Sequence, residues 1–219
     1  MTFAVHTGSI SVWTVFFVVE KVKCLGICLL LTASVWTWGL IRDRQYLNQE
    51  LIRLHVVANS DSEQDQNIKL RVRDAIVASL SDGMADIADV QAAKAYLREN
   101  LPKIEAIANR TLEAAGVDSR AAVTLCKEAF DIRNYDTFSL PAGIYESLRV
   151  VIGEGQGKNW WCVAFPSLCM GATSEEFVET AQIAGMDDAL TETLTGGLRL
   201  RFFLLDALGR AEKACYSGK

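Results

Sequence analysis

The sequence predicts an α+β fold, in which two amphipathic helices pack on a small, mostly antiparallel sheet after an N-terminal membrane or signal segment. Three observations lead to this prediction. The first 41 residues are hydrophobic, apolar residues recur at intervals of three and four between residues 68 and 112, and from residue 121 the apolar period changes to two. The helical and strand-like patterns are therefore partly segregated along the chain.

The N-terminal segment contains an uncharged run over residues 24–41. As a helix this run would be about 27 Å long, close to the thickness of the hydrocarbon core of a membrane. Lys21 and Lys23 precede it, which is also typical of a secretory signal. We expect residues 1–41 to be an export signal or a membrane anchor, and residues 42–219 to form a single extracytoplasmic domain. The true start site and cleavage of the segment stay open.

The first strand is expected over residues 51–59, with Ile52, Leu54 and Val56 on one face and Arg53 and His55 on the other. A helix should follow. Ser62 and the acid three residues later resemble a capping box, and the apolar stripe continues to about residue 80 before Gly83 ends the helix.

A second, longer helix is expected over residues 87–115. Pro102 lies inside its pattern and predicts a kink or a break near Asn100, and Gly116 is placed at its C-terminal cap.

Three further segments are predicted as strands, over residues 121–130, 145–153 and 159–165, with the last two forming a hairpin. Residues 133–143 are interpreted as a loop, and residues 199–208 as either a final strand or a short helix.

The net charge of the chain and the spacing of its short motifs argue against several kinds of binding site. The formal net charge is −5, and an acidic surface repels a phosphate backbone, so nucleic acid is not expected as a partner.

Residues 153–158 (GEGQGK) lack the spacing of a phosphate-binding loop and are interpreted as a chain reversal. His55 lies near Asp61, Glu63 and Asp65 in sequence, but the spacing matches no structural zinc pattern. No metal and no cofactor are predicted.

An enzyme would have to use Cys126 with His55, since a cysteine nucleophile needs a base. Nothing around Cys126 resembles a known hydrolase motif, and there is no G-x-S-x-G. A secreted hydrolase using Cys126 and His55 is kept as an alternative function, as is a structural protein of the cell envelope.

Cys162 and Cys169 bracket a short loop and are predicted to form a disulfide outside the cell, the alternative being two buried thiols. The redox states of Cys126 and Cys215 stay open.

Trp160 and Trp161 are adjacent in a predicted strand, so their side chains should point to opposite faces of the sheet. One should enter the core, and the other is either half-covered or a contact for a partner. Asn159, Asn59 and Asp61 are further residues considered for partner contact, although caps at a strand-to-helix junction also explain Asn59 and Asp61.

Two stretches, LIRLHVVANSDSEQDQNIKLRVRDAIV (51–77) and LPAGIYESLRVVIGEGQGKNWWCVAFPSLC (140–169), resemble the stage II sporulation protein R family. The departures are small: Ala164 and Ser167 stand where a larger apolar residue and a second proline are expected, and the N-terminal stretch is longer than usual.

The resemblance implies a signalling protein, not an enzyme. Members are exported from the forespore into the space between the two membranes of the sporangium, or stay anchored and face outward. There they activate a membrane-embedded protease of the mother cell, which processes the precursor of an early sigma factor. The protease and the membrane are therefore the expected partners.

Overall fold

The computed structural model describes residues 12–166 except 85, 88 and 136, the isolated positions 178, 180 and 182, and residues 185–217. The chain divides into two compact units, Met1–Arg42 and Asp43–Lys219. The described helices are α1 (Val12–Glu50), α2 (Glu63–Gly83), α3 (Val90–Ala114), α4 (Asp188–Leu194) and α5 (Arg199–Ser217). The described strands are β1 (Ile52–Val57), β2 (Ala121–Phe130), β3 (Arg133–Asn134), β4 (Ser139–Leu140), β5 (Gly143–Ile152) and β6 (Asn159–Phe165).

In the described part of the chain, α1 is the helix that is long and apolar enough to cross a membrane. The candidate span is Val19–Glu50, with a mean hydropathy of 1.9 in its most apolar window, of which 6% is buried. A signal sequence has the same properties. The predicted apolar segment is therefore helical and fits either a signal or a membrane anchor.

The main sheet has the strand order β2-β5-β1-β6. β2 pairs with β5 and β6 pairs with β1 in antiparallel fashion, while β1 and β5 are parallel. The predicted α+β class and the mostly antiparallel sheet are confirmed. The predicted hairpin between β5 and β6 is wrong, because β1 lies between them and pairs with both strands. All six residues of β1 are buried, as is typical of a central strand.

Helices α2 and α3 cover the first face of the sheet, where Ile52, Leu54 and Val56 join the apolar stripes of both helices in one core. Ser62 caps α2 as predicted, its side chain accepting a hydrogen bond from the backbone N–H of Asp65 at 3.1 Å. Burial of the apolar faces of α2 and α3 against the sheet supplies most of the stability of these helices, since isolated helices of this length are marginal in water.

Of the predicted kink or break near Asn100, the break is wrong, because helix α3 continues without interruption through Pro102; the kink stays a prediction. Buried residues lie on both sides of the proline, and this packing holds the helix together where one backbone hydrogen bond is missing. Gly116 follows the C-terminal cap with φ 71°, and the N–H of Val117 donates to the carbonyl of Leu112 at 3.1 Å, closing the helix as expected for a glycine in the left-handed region.

The second face of the sheet is covered in part by α5. Gly209 of α5 lies so close to the carbonyl oxygen of Ala142 that a Cβ would collide with it, and Asp206 accepts a hydrogen bond from the backbone N–H of Ala142 at 2.9 Å. Residues 199–208 are thus helical, and the strand alternative is wrong. Residues 133–140, interpreted as loop, contain the short β3–β4 ribbon.

Candidate functional site

Strand β1 places Arg53 and His55 on the second face of the sheet. The prediction that they oppose Ile52, Leu54 and Val56 agrees with the core on the first face. All six residues of β1 are nevertheless buried, because the second face is covered as well. Buried polar side chains on a central strand need partners from elsewhere in the chain.

His55 is held between an acid and an aromatic ring. Its Nδ1 lies 3.2 Å from both carboxylate oxygens of Glu128, and its ring stacks on Trp161 at a centroid distance of 3.6 Å. Phe130 meets Trp161 edge to face at 4.8 Å. Strand pairing explains the meeting, because His55 is the register partner of Trp161 in β6.

The charge of Glu128 is stabilised by its neighbours. Burial by itself raises the pKa of this carboxyl, but the hydrogen bond with His55 and the charge of Arg149 outweigh burial, so that the net pKa is lower than the ordinary 4.5. Arg149 Nε lies 3.6 Å from Glu128 Oε1, and the Arg149 side chain is 44% exposed. The carboxylate is therefore ionised at neutral pH.

Arg53 is fully buried. Its Nη2 donates to the hydroxyl of Tyr135 at 2.8 Å, and its guanidinium lies 4.0 Å from the centre of the Phe130 ring and 5.2 Å from that of Tyr145. Nε and Nη1 have no hydrogen-bond partner in the described structure. A cation enclosed by aromatic rings without an acid is an expensive arrangement.

The two tryptophans lie on opposite faces, as predicted. Trp160 packs against the core on the first face, where the guanidinium of Arg73 lies 4.2 Å from the centre of its ring. Trp161 lies on the second face with His55, and the guanidinium of Arg133 is 5.2 Å from its ring centre. Both side chains are half-buried. Trp160 therefore packs mainly on the apolar core, whereas Trp161 lies against His55 on the second face.

Asn59 and Asp61 bind the junction between β1 and α2 to the segment that precedes β6. The side chain of Asn59 donates to Asp65 Oδ2 at 3.0 Å and accepts from the backbone N–H of Glu154 at 3.0 Å. Asp61 accepts from the backbone N–H of Lys158 at 2.7 Å. These bonds give both residues a structural role; Asn159 is exposed at the start of β6, opposite Val57.

The glycine-rich segment 153–158 uses its own backbone donors internally. Gly153 and Gly155 adopt φ of 56° and 62°, and a Cβ on Gly157 would collide with the carbonyl of Ser60. All six N–H groups of the segment are bonded to acceptors of this chain. A phosphate-binding loop instead directs such groups at its ligand, which agrees with interpreting the segment as a chain reversal.

The structure does not bring Cys126 and His55 together. Cys126 lies on β2 and His55 on β1, with β5 between them, which separates the two strands by about 10 Å. Burial, followed by the charge of Glu128, raises the pKa of the Cys126 thiol. A thiol that stays protonated is a poor nucleophile, so the arrangement does not support covalent catalysis by Cys126 with His55.

Cys162 is buried and disulfide-bonded. Its predicted partner, Cys169, lies outside the described residues, so the pairing stays a prediction. Cys126 and Cys215 are free.

His55 and the nearby acids in sequence do not converge. His55 faces Glu128, whereas Asp65 is bonded by Asn59 and Ser60. Within the described ranges, no group of three or more His, Cys, Asp or Glu side chains could hold a metal ion.

Sequence reasoning missed Arg53 and Glu128 as members of this site. The alternation in β1 placed Arg53 on the same face as His55, and this pattern could have identified Arg53 as a member of the site. Glu128 is 73 positions away from His55 and meets it only through the pairing of β2 with β5 and of β5 with β1.

Comparison with known proteins gives two matches. Residues 48–175 match the family model of stage II sporulation protein R. Over 120 residues the chain is 41% identical to the stage II sporulation protein R of Bacillus subtilis (strain 168). The aligned region covers 55% of this chain and 54% of that protein. The chain thus spans about half the length of the curated relative it matches. No solved structure matches the chain.

Proposed function

Since the chain belongs to the stage II sporulation protein R family, we propose that it is an exported signalling protein of the forespore that activates a membrane-embedded protease of the mother cell. The activated protease then processes the precursor of an early mother-cell sigma factor. The protein acts in the space between the two membranes, either released or anchored by its apolar helix. Its role is to bind, not to catalyse.

One observation carries this proposal. The family match begins at residue 48, near the end of the apolar helix α1, and includes every described strand of the main sheet. A sporulation-family domain that follows an apolar helix of signal or anchor type supports action outside the cytoplasm.

The chemistry of the second face supports binding. His55 and Glu128 hold one another, and the Cys126 thiol is kept protonated by its surroundings. Trp161 and Arg149 remain partly accessible beside them. Tryptophan and arginine are the residue types that most often dominate the energy of a protein interface.

A reconstitution tests the proposal. The protease and the sigma-factor precursor are produced together in a bacterium that does not sporulate, with or without the full chain. We expect the precursor to be cleaved only when the chain is present and exported. Cleavage that is equally complete without the chain would contradict an activating role.

A further inference from the structure

Helix α5 is apolar on its exposed face as well as on the face that packs against the sheet. Leu205 and Gly209 are buried on the sheet side. On the opposite side, Leu200, Phe203 and Leu208 are 66%, 64% and 44% exposed. Large apolar side chains that are grouped on one exposed face usually mark a contact surface.

The apolar residues of this exposed face follow the spacing of a coiled coil. They recur at intervals of four, three, four and three, which is the spacing of the core positions of a helix that packs against another helix. We call this set the α5 seam, and it consists of Leu200, Leu204, Ala207, Ala211 and Ala214. Leu204 is half-buried, and the other four residues are exposed. The seam is about 21 Å long, enough for several layers of helix packing.

Residue size divides the seam into two halves, with leucines in the N-terminal half and alanines in the C-terminal half. If α5 of a second copy runs antiparallel, Leu200 meets Ala211 of the second copy, and Leu204 meets Ala207 of the second copy. A twofold axis repeats both contacts, so each of four layers pairs one leucine with one alanine. In a parallel pair, leucine would face leucine at one end and alanine would face alanine at the other, and the helices could not keep a constant separation.

The residues beside the seam also fit a second copy. In the antiparallel register, Phe203 comes beside Arg210 of the second copy, whose side chain is 67% exposed and is bound by Asp206 of its own chain. A guanidinium against an aromatic ring is a favourable contact. On the other edge, Arg201 comes beside Leu208 of the second copy, and Arg201 already has an ion pair within its own chain. No like charges therefore oppose one another along the seam.

We propose that two copies of this chain associate through the α5 seam as an antiparallel pair of helices. The inference goes beyond the proposed function and does not depend on it, since it follows from the size and charge complementarity of one helix with itself. A lipid surface is the other occupant that an exposed apolar helix face suggests. Insertion into lipid favours large apolar residues along the whole face, whereas the alanine half of the seam matches the leucine half of a second copy.

The first test is the oligomeric state of the purified full chain in detergent, measured by sedimentation at concentrations up to about 100 µM. Ala207→Glu puts a charge in the middle of the seam. Its matched control is Ala78→Glu, at an exposed position of α2. We expect wild type and Ala78→Glu to form dimers with the same Kd, and Ala207→Glu to have a Kd at least about a hundredfold higher, because its charge would be buried without a partner. Since Ala207 is exposed, the melting temperature of the Ala207→Glu monomer should stay near that of the wild-type monomer.

The second test is cross-linking, which reports the direction of the two helices. The exposed free cysteines Cys24, Cys28 and Cys215 are first replaced by alanine. Leu200→Cys with one affinity tag is then mixed with Ala211→Cys carrying another tag, and the mixture is oxidised. We expect a disulfide that joins the two tags. Leu200→Cys alone should give little product, because its two copies would lie about 16 Å apart along the helix axis.

Three results would overturn the inference. The first is a wild-type chain that stays monomeric over the whole concentration range, in which case loss of vesicle binding by Ala207→Glu would identify a lipid surface as the occupant. The second is a dimer that Ala207→Glu leaves intact, which would place the contact elsewhere in the chain. The third is efficient cross-linking of Leu200→Cys to itself without a product between the two tags, which would show a parallel pair.

Discussion

Glu128 is expected to make a pH-dependent contribution to the stability of the fold. Its folded pKa is lower than the ordinary 4.5, so its charge stabilises the fold fully above that pH, and the contribution is lost as pH falls through the folded pKa. We expect Glu128→Gln to lower the free energy of unfolding at pH 7. The difference from wild type should shrink progressively below pH 4.5. Urea unfolding from pH 7 to pH 3 measures the difference in unfolding free energy between wild type and the variant. A constant difference over that range would show that the charge of the Glu128 carboxylate does not contribute to stability.

The two tryptophans should separate stability from signalling. Trp160 packs on the apolar core, so Trp160→Ala should destabilise the fold by about 2 kcal/mol, roughly half the cost of a fully buried aromatic, and reduce signalling only in proportion. Trp161→Ala should reduce precursor processing far more than its loss of stability explains. Thermal unfolding and processing are scored together for each variant. If both variants lose activity in proportion to stability, both tryptophans are structural and the binding surface lies elsewhere.

At the scale of elements, the junction between β1 and α2 is fixed to the segment before β6. Asp61 holds the backbone N–H of Lys158, so Asp61→Ala should cost about 1 kcal/mol in unfolding free energy and leave signalling largely intact. Asp82→Ala, an exposed acid near the end of α2, is the matched control and should change neither. Loss of signalling without loss of stability in Asp61→Ala would instead assign it to the contact surface.

The predicted disulfide involves Cys162, which lies in the middle of β6. Cys162 is disulfide-bonded, and a bridge to Cys169 would close a loop worth about 2.5 kcal/mol by chain entropy. Mass mapping of the native protein should recover a peptide pair containing both cysteines. Recovery of both as free thiols would remove the prediction.

Local patterns predicted the elements well, and failed where neighbours far along the chain decide the outcome. The capping residue Ser62, the period-two pattern of β2 and the glycine after α3 each act within a few residues, and each lies where expected. The insertion of β1 between β5 and β6 depends on pairing between distant segments. No local pattern carries that information, and the contact of His55 with Glu128 was missed for the same reason.

For the whole molecule, we expect the apolar helix to determine where the domain acts. Replacing Leu30 and Leu31 with arginine places two charges in the middle of an apolar run, which is costly in a membrane and disrupts an export signal. We expect the double variant to remain inside the forespore and to lose signalling. Fractionation of sporulating cells and immunoblotting measure its location. A fully exported and active variant would show that the run is not the export determinant.

The most direct test of the central claim is the state of the sigma-factor precursor in sporulating cells of the native host that lack this chain. The proposed signalling role predicts that the precursor accumulates uncleaved while the protease is present, and that the full chain supplied from a forespore promoter restores cleavage. Normal cleavage in the deletion strain would contradict the claim, whatever the surface chemistry of the domain.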